Sequence, residues 1–349
     1  MKNRKIWLRL AWGLVSFLLV TVFIMGLVIY KRFYSINLAG VNDKSEYLYI
    51  PTGARFEDVV QILKKQNLLL DEKSFRWTAH QLKYEKNIRP GKYKLQAQMS
   101  NRDLLNLLRS GKQVPVNVIF NNIRTKEQLA SRVSEQIEAT AAGILALMND
   151  STYTGALGFS TQGIMAMFIP DTYEFYWNTP ADKFMQRMKK EYDRFWTSSR
   201  TSRANAIGFT PLQVSVLASI VQMETNQEDE KPAIAGVYIN RYRKGWKLEA
   251  DPTLVFALGD FSIKRVLKIY KEIESPYNTY KNKGLPPGPI CLPTRASINA
   301  VLNYTEHKYM YFCARDDFSG YHTFSKTYLQ HLINARRFQK ALDRRGIRS

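Results

Sequence analysis

The chain has 349 residues, 45% apolar and 23% charged, which excludes wholesale disorder and exceeds what one hydrophobic core usually holds. Lys and Arg (51) outnumber Asp and Glu (30) by 21 charges, so a polyanion or an anionic surface is an expected neighbour. Two cysteines, Cys291 and Cys313, are too few for a disulfide scaffold or a Cys-rich zinc site, and four scattered histidines show no i, i+4 pairing, so no metal or other cofactor is expected.

From Leu10 to Tyr30 the chain runs 21 residues without a formal charge. At 1.5 Å per residue that is about 31 Å of helix, the thickness of a bilayer core, and it predicts a transmembrane helix over 10–30. Lys2, Arg4, Lys5 and Arg9 precede the run and Lys31 and Arg32 follow it, which places residues 1–9 in the cytoplasm. The competing reading, a cleaved signal peptide, needs a shorter apolar run and a small-x-small site. The sequence is thus read as a single-pass anchor in the cytoplasmic (inner) membrane, with a linker over 31–45 and a body on the extracytoplasmic, periplasmic side. Nucleic acid is not an expected partner there.

Beyond the polar stretch Asn42 to Glu46, Tyr47 to Ile50 reads as a strand, followed by a Pro51-Thr52-Gly53 turn and a helix carrying Phe56, Val59, Val60, Ile62 and Leu63. A helix near Ser74 to Leu82, a turn at Arg89 to Lys92 and a strand Tyr93 to Leu95 come next. Ser100-x-x-Asp103 is a capping box for a third helix that Gly111 stops. This pattern predicts a small α+β module over 46–115. A larger mixed α/β domain over 116–345 follows, giving an α+β fold class overall. Its expected elements include a strand at Val116 to Phe120 and a helix capped by Thr125. Further helices open at Thr179-Pro180 and Thr210-Pro211, each with Thr as cap and Pro at the first helical position. The closing basic run, with Arg336, Arg337, Lys340, Arg344, Arg345 and Arg348, reads as a solvated helix face.

In the helix opened by Thr210, Leu217, Ile220, Val221 and Glu224 stand at i, i+3, i+4 and i+7, so Glu224 falls on the apolar stripe. A carboxylate there is either paired with a base such as Arg241 or Arg243, or held protonated as a general acid. Periodicity alone leaves both readings open. Cys291 and Cys313, among apolar neighbours such as Ile290 and Phe312, read as small buried hydrophobes or as a bridge.

The segment Ala218 to Thr225, then Lys231-Pro232, Ala235-Gly-Val-Tyr-Ile-Asn-Arg241 and Leu248-x-x-Asp-Pro-Thr253, resembles the YceG/MltG-like family of endolytic murein transglycosylases. Ser275 to Tyr280, Gly284 to Ile290, Pro293, Tyr309-x-Tyr-Phe312 and His322-Thr-Phe324 extend the match, and upstream so do Pro170 to Tyr173 and Pro90 to Tyr93. The resemblance implies that Glu224, ahead of Thr225, is the catalytic acid. Family members often carry a second Glu where this chain has Gln222, and the usual Glu-Gly ahead of Pro170 is replaced by Ile164 to Ile169. It further implies a LysM-like module over 46–115, murein glycan strands as substrate, and peptidoglycan synthases as candidate partners.

Such an enzyme cuts without water, so one carboxyl suffices, whereas a hydrolase wants two. Glu230 and Asp251 are the nearest candidates for a second acid or a substrate-positioning group. Asn278 and Tyr280 are candidate donors to N-acetyl groups, or else an Asx-turn with a packed ring. His322 is a candidate neutral donor. The competing function is a glycan-binding scaffold of the wall machinery that cuts nothing.

Overall fold

The structure, a computed structural model, describes residues 2–39, 46–263 and 265–345, with side chains from Ile6 onward. The polar stretch 42–45, Arg348 and the side chains of Lys2, Arg4 and Lys5 lie outside that description. By its contacts the chain divides into two compact units, one comprising 1–116 with 174–179 and the other 117–173 with 180–349.

The first unit begins with α1 (Lys2–Tyr34), one helix long and apolar enough to cross a membrane, whose side chains from Leu10 to Tyr30 are all exposed. The helix does not stop at Tyr30. It runs to Tyr34, and Ile36 and Leu38 then bridge to Ser100 and Leu69. The linker expected from Lys31 is therefore helix and packed backbone as far as Ala39. A buried polar knot explains this: Asn37 donates to Asn101 Oδ1 (2.6 Å) and to the carbonyl of Asp71 (2.9 Å), and Asn101 donates to the carbonyl of Arg32 (2.9 Å). Satisfying these groups with one another lets the segment be buried instead of solvated.

The rest of the unit follows the expected order: β1 (Glu46–Ile50), α2 (Phe56–Lys65), α3 (Glu72–Gln81), β2 (Gly91–Leu95) and α4 (Asn101–Ser110). The strands pair antiparallel, Glu46 opposite Leu95 and Ile50 opposite Gly91. Alternation sends Leu48, Ile50, Tyr93 and Leu95 inward against Val59, Val60, Leu63, Phe75 and Leu104, and Leu38 joins the same core. Ser100 and Asp103 form the capping box at α4, and Gly111 ends it at φ 67°.

β3 (Pro115–Phe120) leads to α5 (Lys126–Ser134), α6 (Ala141–Asn149) and α7 (Ser151–Ala156), and β4 (Asp171–Tyr176) pairs with β3. Then come α8 (Ala181–Phe195), α9 (Ser198–Ile207), α10 (Pro211–Glu224), α11 (Lys231–Arg243), α12 (Asp251–Leu258) and α13 (Arg295–Leu302). The chain closes with β5 (Tyr311–Ala314), β6 (His322–Ser325) and α14 (Tyr328–Arg344). The sheets formed by the described residues are all two-stranded, so the fold is α+β and helices make most of the second unit's core. The cap expected at Thr179 is displaced: its hydroxyl donates to the carbonyl of Tyr176 (2.6 Å), and Pro180 occupies the cap position of α8 without a side-chain bond. On α14, Arg336, Arg337, Lys340 and Arg344 are exposed.

At the centre lies α10, buried at every position from Val214 to Val221. Ile234, Ala235 and Tyr238 of α11 and Ile298 and Val301 of α13 share its core. Gly236 lets α11 meet the segment after α13, because a Cβ there would collide with the carbonyl of Thr305 and the ring of His307.

Candidate active site

Thr210 fixes the start of α10, and with it the rotational phase of every later residue. Its hydroxyl accepts from the Gln213 amide (3.2 Å) while Gln213 accepts from the Thr210 amide (2.9 Å), a reciprocal box with Pro211 behind it. Fourteen residues on, that phase turns Leu217, Ile220 and Val221 into the core and delivers Glu224 to the edge of a cavity of about 490 Å³.

The phenol of Tyr238 donates to Glu224 Oε1 at 2.5 Å. Among the described residues no other hydrogen bond or ion pair reaches this carboxyl. Burial pushes it up to about 7, Asp251 nearby pushes the same way, and the Tyr238 bond and the charge of Arg241 pull back. Its place at the C-terminal end of α10, where the helix dipole disfavours an anion, acts in the same direction as burial. Arg241 and Arg243, the candidate ion-pair partners, are engaged elsewhere. Arg241 donates to the carbonyls of Met310 (2.8 Å) and Leu248 (2.6 Å), and Arg243 donates to Tyr304 (3.0 Å).

Asp251 opens α12 and lines the same cavity. Its Oδ1 accepts from the Tyr280 phenol at 2.6 Å, and burial together with this bond raises the phenol's own proton affinity. Thr279 holds the two segments in register: its hydroxyl accepts from the Ala250 amide (3.0 Å) and meets that of Thr253 at 2.8 Å. Asn278 is fully buried and spent on its own loop. It donates to the carbonyls of Lys271 (2.9 Å) and Ile273 (2.8 Å) and accepts from the Tyr280 amide (2.9 Å), an Asx-type turn. Thus Tyr280 reaches the site through Asp251, and Asn278 shapes the loop that carries Tyr280.

Glu230 and His322 are brought to each other and not to the cavity wall. Glu230 is 5% exposed; one oxygen accepts from the His322 amide (2.6 Å), the other from His322 Nδ1 (2.7 Å) and the Thr225 hydroxyl (3.3 Å). The pair ties the turn after α10 to β6, one element behind the catalytic candidate. Gln222 ties the other flank. Its amide accepts from the Thr294 amide (2.6 Å) and the Ser297 hydroxyl (3.0 Å) and donates to the carbonyl of Leu292 (3.2 Å).

The remaining walls come from two residues inside the quoted motifs, Met223 and Ile290, and from others that carried no signal in the sequence. Met223 and Ile290 flank Glu224, Val255 and Phe256 continue α12, and Phe261, Ile263, Arg265 and Val266 form the irregular segment beyond it. Arg124 stands just before α5. Ile290 is fixed by its amide, which donates to the buried Ser219 hydroxyl (3.0 Å), and Gly288 is required because a Cβ would strike the carbonyl of Gln162. Ile164 to Ile169, which stand where a Glu-Gly pair was expected, are buried core and do not line the cavity. Tyr238 lay within a quoted motif, yet only the packing of α11 on α10 reveals it as the partner of Glu224. Cys291 is buried, its thiol pushed up to about 12, and it is free, as is Cys313.

A sequence profile of the YceG-like family matches residues 48–337. The endolytic murein transglycosylase of Bacillus subtilis (strain 168) is 27% identical over 301 residues, covering 81% of each chain. That of Streptococcus pneumoniae serotype 2 (strain D39) is 27% identical over 295 residues, covering 76% of this chain and 53% of the relative. The crystal structure of a YceG-like protein from Listeria monocytogenes superposes with a TM-score of 0.56 at 25% identity, covering 84% of this chain and 99% of that one. The ordered motifs, the fold and the profile agree, and the chain belongs to the YceG-like family.

Proposed function

We propose that the protein is a membrane-anchored endolytic murein transglycosylase with Glu224 as its single acid and base. The observation that carries this is the Glu224 carboxyl at the cavity edge, bonded among the described residues to the Tyr238 phenol and raised by burial to about 7. At neutral pH such a group is protonated about half the time, the condition for general acid catalysis. Glu224 gives its proton to the glycosidic oxygen as the bond to the muramic C1 breaks, releasing the N-acetylglucosamine side. The muramic C6 hydroxyl then attacks C1, and its proton returns to the carboxylate. The product ends in 1,6-anhydro-muramic acid, and the enzyme is restored without water.

Asp251, whose side chain lines the same cavity, is placed to favour the positive charge that develops at C1. Because it shares the cavity, hydrolysis with Asp251 as the base for a water molecule is the second reading. Digestion of purified murein in ¹⁸O water, followed by mass spectrometry, separates the two. Anhydro ends without label support the transglycosylase, and labelled reducing ends overturn it.

The apolar length of α1 supports a single-pass anchor with the body outside the cytoplasm. Cutting near the membrane would act on nascent strands and end their elongation, in the company of synthases. The strand and helix order of residues 46–115 supports a LysM-like role in glycan contact or spacing.

A further inference from the structure

The cavity that holds Glu224 is not only acidic. Arg124 and Arg265 stand in its wall, among Phe256, Phe261, Ile263 and Val266. Arg124 is half-buried among apolar neighbours, which makes its attraction for an anion stronger than in open solvent, while Arg265 is exposed and adds its charge from the rim. Among the described residues neither guanidinium has a hydrogen bond or an ion pair. Other arginines of this unit do: Arg295 pairs with Asp171, and Arg241 and Arg243 are engaged as described above. Arg124 is held from behind. Its amide donates to Gln128 Oε1 (2.9 Å) and its guanidinium carbon lies 4.8 Å over the Phe261 ring, a contact that holds the cation at the wall while its N–H groups stay available to donate.

Sugar rings of a murein strand are neutral, and its anionic groups are carboxylates of the peptides borne on the muramic residues. A planar guanidinium fork matches a carboxylate in two parallel hydrogen bonds. We propose that Arg124 and Arg265 form a carboxylate-binding subsite that reads the peptide on the strand being cut. This rests on the transglycosylase reading above and adds to it a requirement for peptide charge.

The test uses full-length protein in detergent with three uncrosslinked substrates. One is peptide-bearing strands; the second is the same strands with their carboxylates converted to amides; the third is peptide-free strands, which expose the lactyl carboxylate instead. Wild-type protein is expected to cut the amidated strands about tenfold less efficiently in kcat/KM, mostly through KM, the equivalent of one lost charge-assisted contact. The double variant Arg124→Gln, Arg265→Gln should cut native and amidated strands equally, at the wild-type rate for the amidated form, with an unchanged melting temperature. Wild-type indifference to amidation, or an equal loss by the double variant on both peptide-bearing substrates, overturns the subsite. Arginine-dependent cutting of peptide-free strands at the full rate overturns the peptide assignment in favour of the lactyl carboxylate. Failure of the underlying reading looks different, since then Glu224→Gln would still cut or the wild type would cut nothing.

Discussion

The phenol of Tyr238 and the carboxyl of Glu224 meet at 2.5 Å across two packed helices, and that bond engages one carboxyl oxygen of a residue that lines the cavity. The bond favours the ionised form, and burial opposes it more strongly. Catalytic pH dependence and fold stability are both tied to this one group.

Glu224→Gln is expected to lower murein cutting at least ~10³-fold, because the amide keeps the volume and has no proton to transfer. Stability should move the other way. The folded acid titrates near 7 against an ordinary 4.5, so the stabilisation from this group is complete below pH 4.5 and is lost as pH rises through 7. The variant should therefore gain on the wild type by up to about 3 kcal/mol between pH 4.5 and pH 8. Urea denaturation at both values checks it, and a variant less stable at pH 8 would contradict the assigned shift.

Tyr238→Phe removes a donor that favours the carboxylate, so Glu224 should hold its proton to higher pH. The alkaline fall in kcat/KM, expected near pH 7 for the wild type, should move upward by up to about one unit. A pH profile measured on soluble murein fragments shows the direction, and a downward move would be the wrong sign.

Asp251→Asn makes the opposite change. Without the neighbouring negative charge Glu224 should lose its proton at lower pH, and the same fall should shift downward. Tyr280→Phe, which leaves Asp251 charged but unbonded, should disturb KM more than the pH profile. The two substitutions measured side by side separate charge from placement.

Much of this was readable in advance, and the failures share a cause. The cap at Thr210 and the stripe Leu217, Ile220, Val221 are local signals, so the inward aim of Glu224 could be read from spacing alone. The mutual engagement of Glu230 and His322 spans 92 residues, and no periodicity reports it. Thr179 carried a proper cap signature, but its hydroxyl found a nearer acceptor in the turn before it. Arg124, Phe261, Ile263, Arg265 and Val266 lie outside helices and strands, where residue type does not announce position.

Two soluble forms should differ in stability although both keep the catalytic unit. A chain begun at Lys31 retains Asn37 and Leu38, whereas one begun at Glu46 takes the Asn37 partner from Asn101 Oδ1 and from the Asp71 amide and opens the core at Leu38. The shorter form should lose about 3 kcal/mol or more in its first unit, followed by denaturant unfolding. Both should cut isolated murein, and neither should replace the full-length protein fully in a null strain.

The carbonyl of Arg32, near the end of α1, accepts from Asn101 (2.9 Å) and from Thr78 (3.2 Å), and the ring of Trp77 packs under the Arg32 guanidinium at 4.9 Å. If α1 spans a bilayer as proposed, this end of the helix cannot slide along the membrane normal, because sliding would break bonds to a folded module. Hydrophobic mismatch would then be absorbed at the Lys2 to Arg9 end, or by tilting helix and module together. Bilayer thickness would reach the small module as a change in its inclination, a mechanical coupling that a flexible tether would have erased.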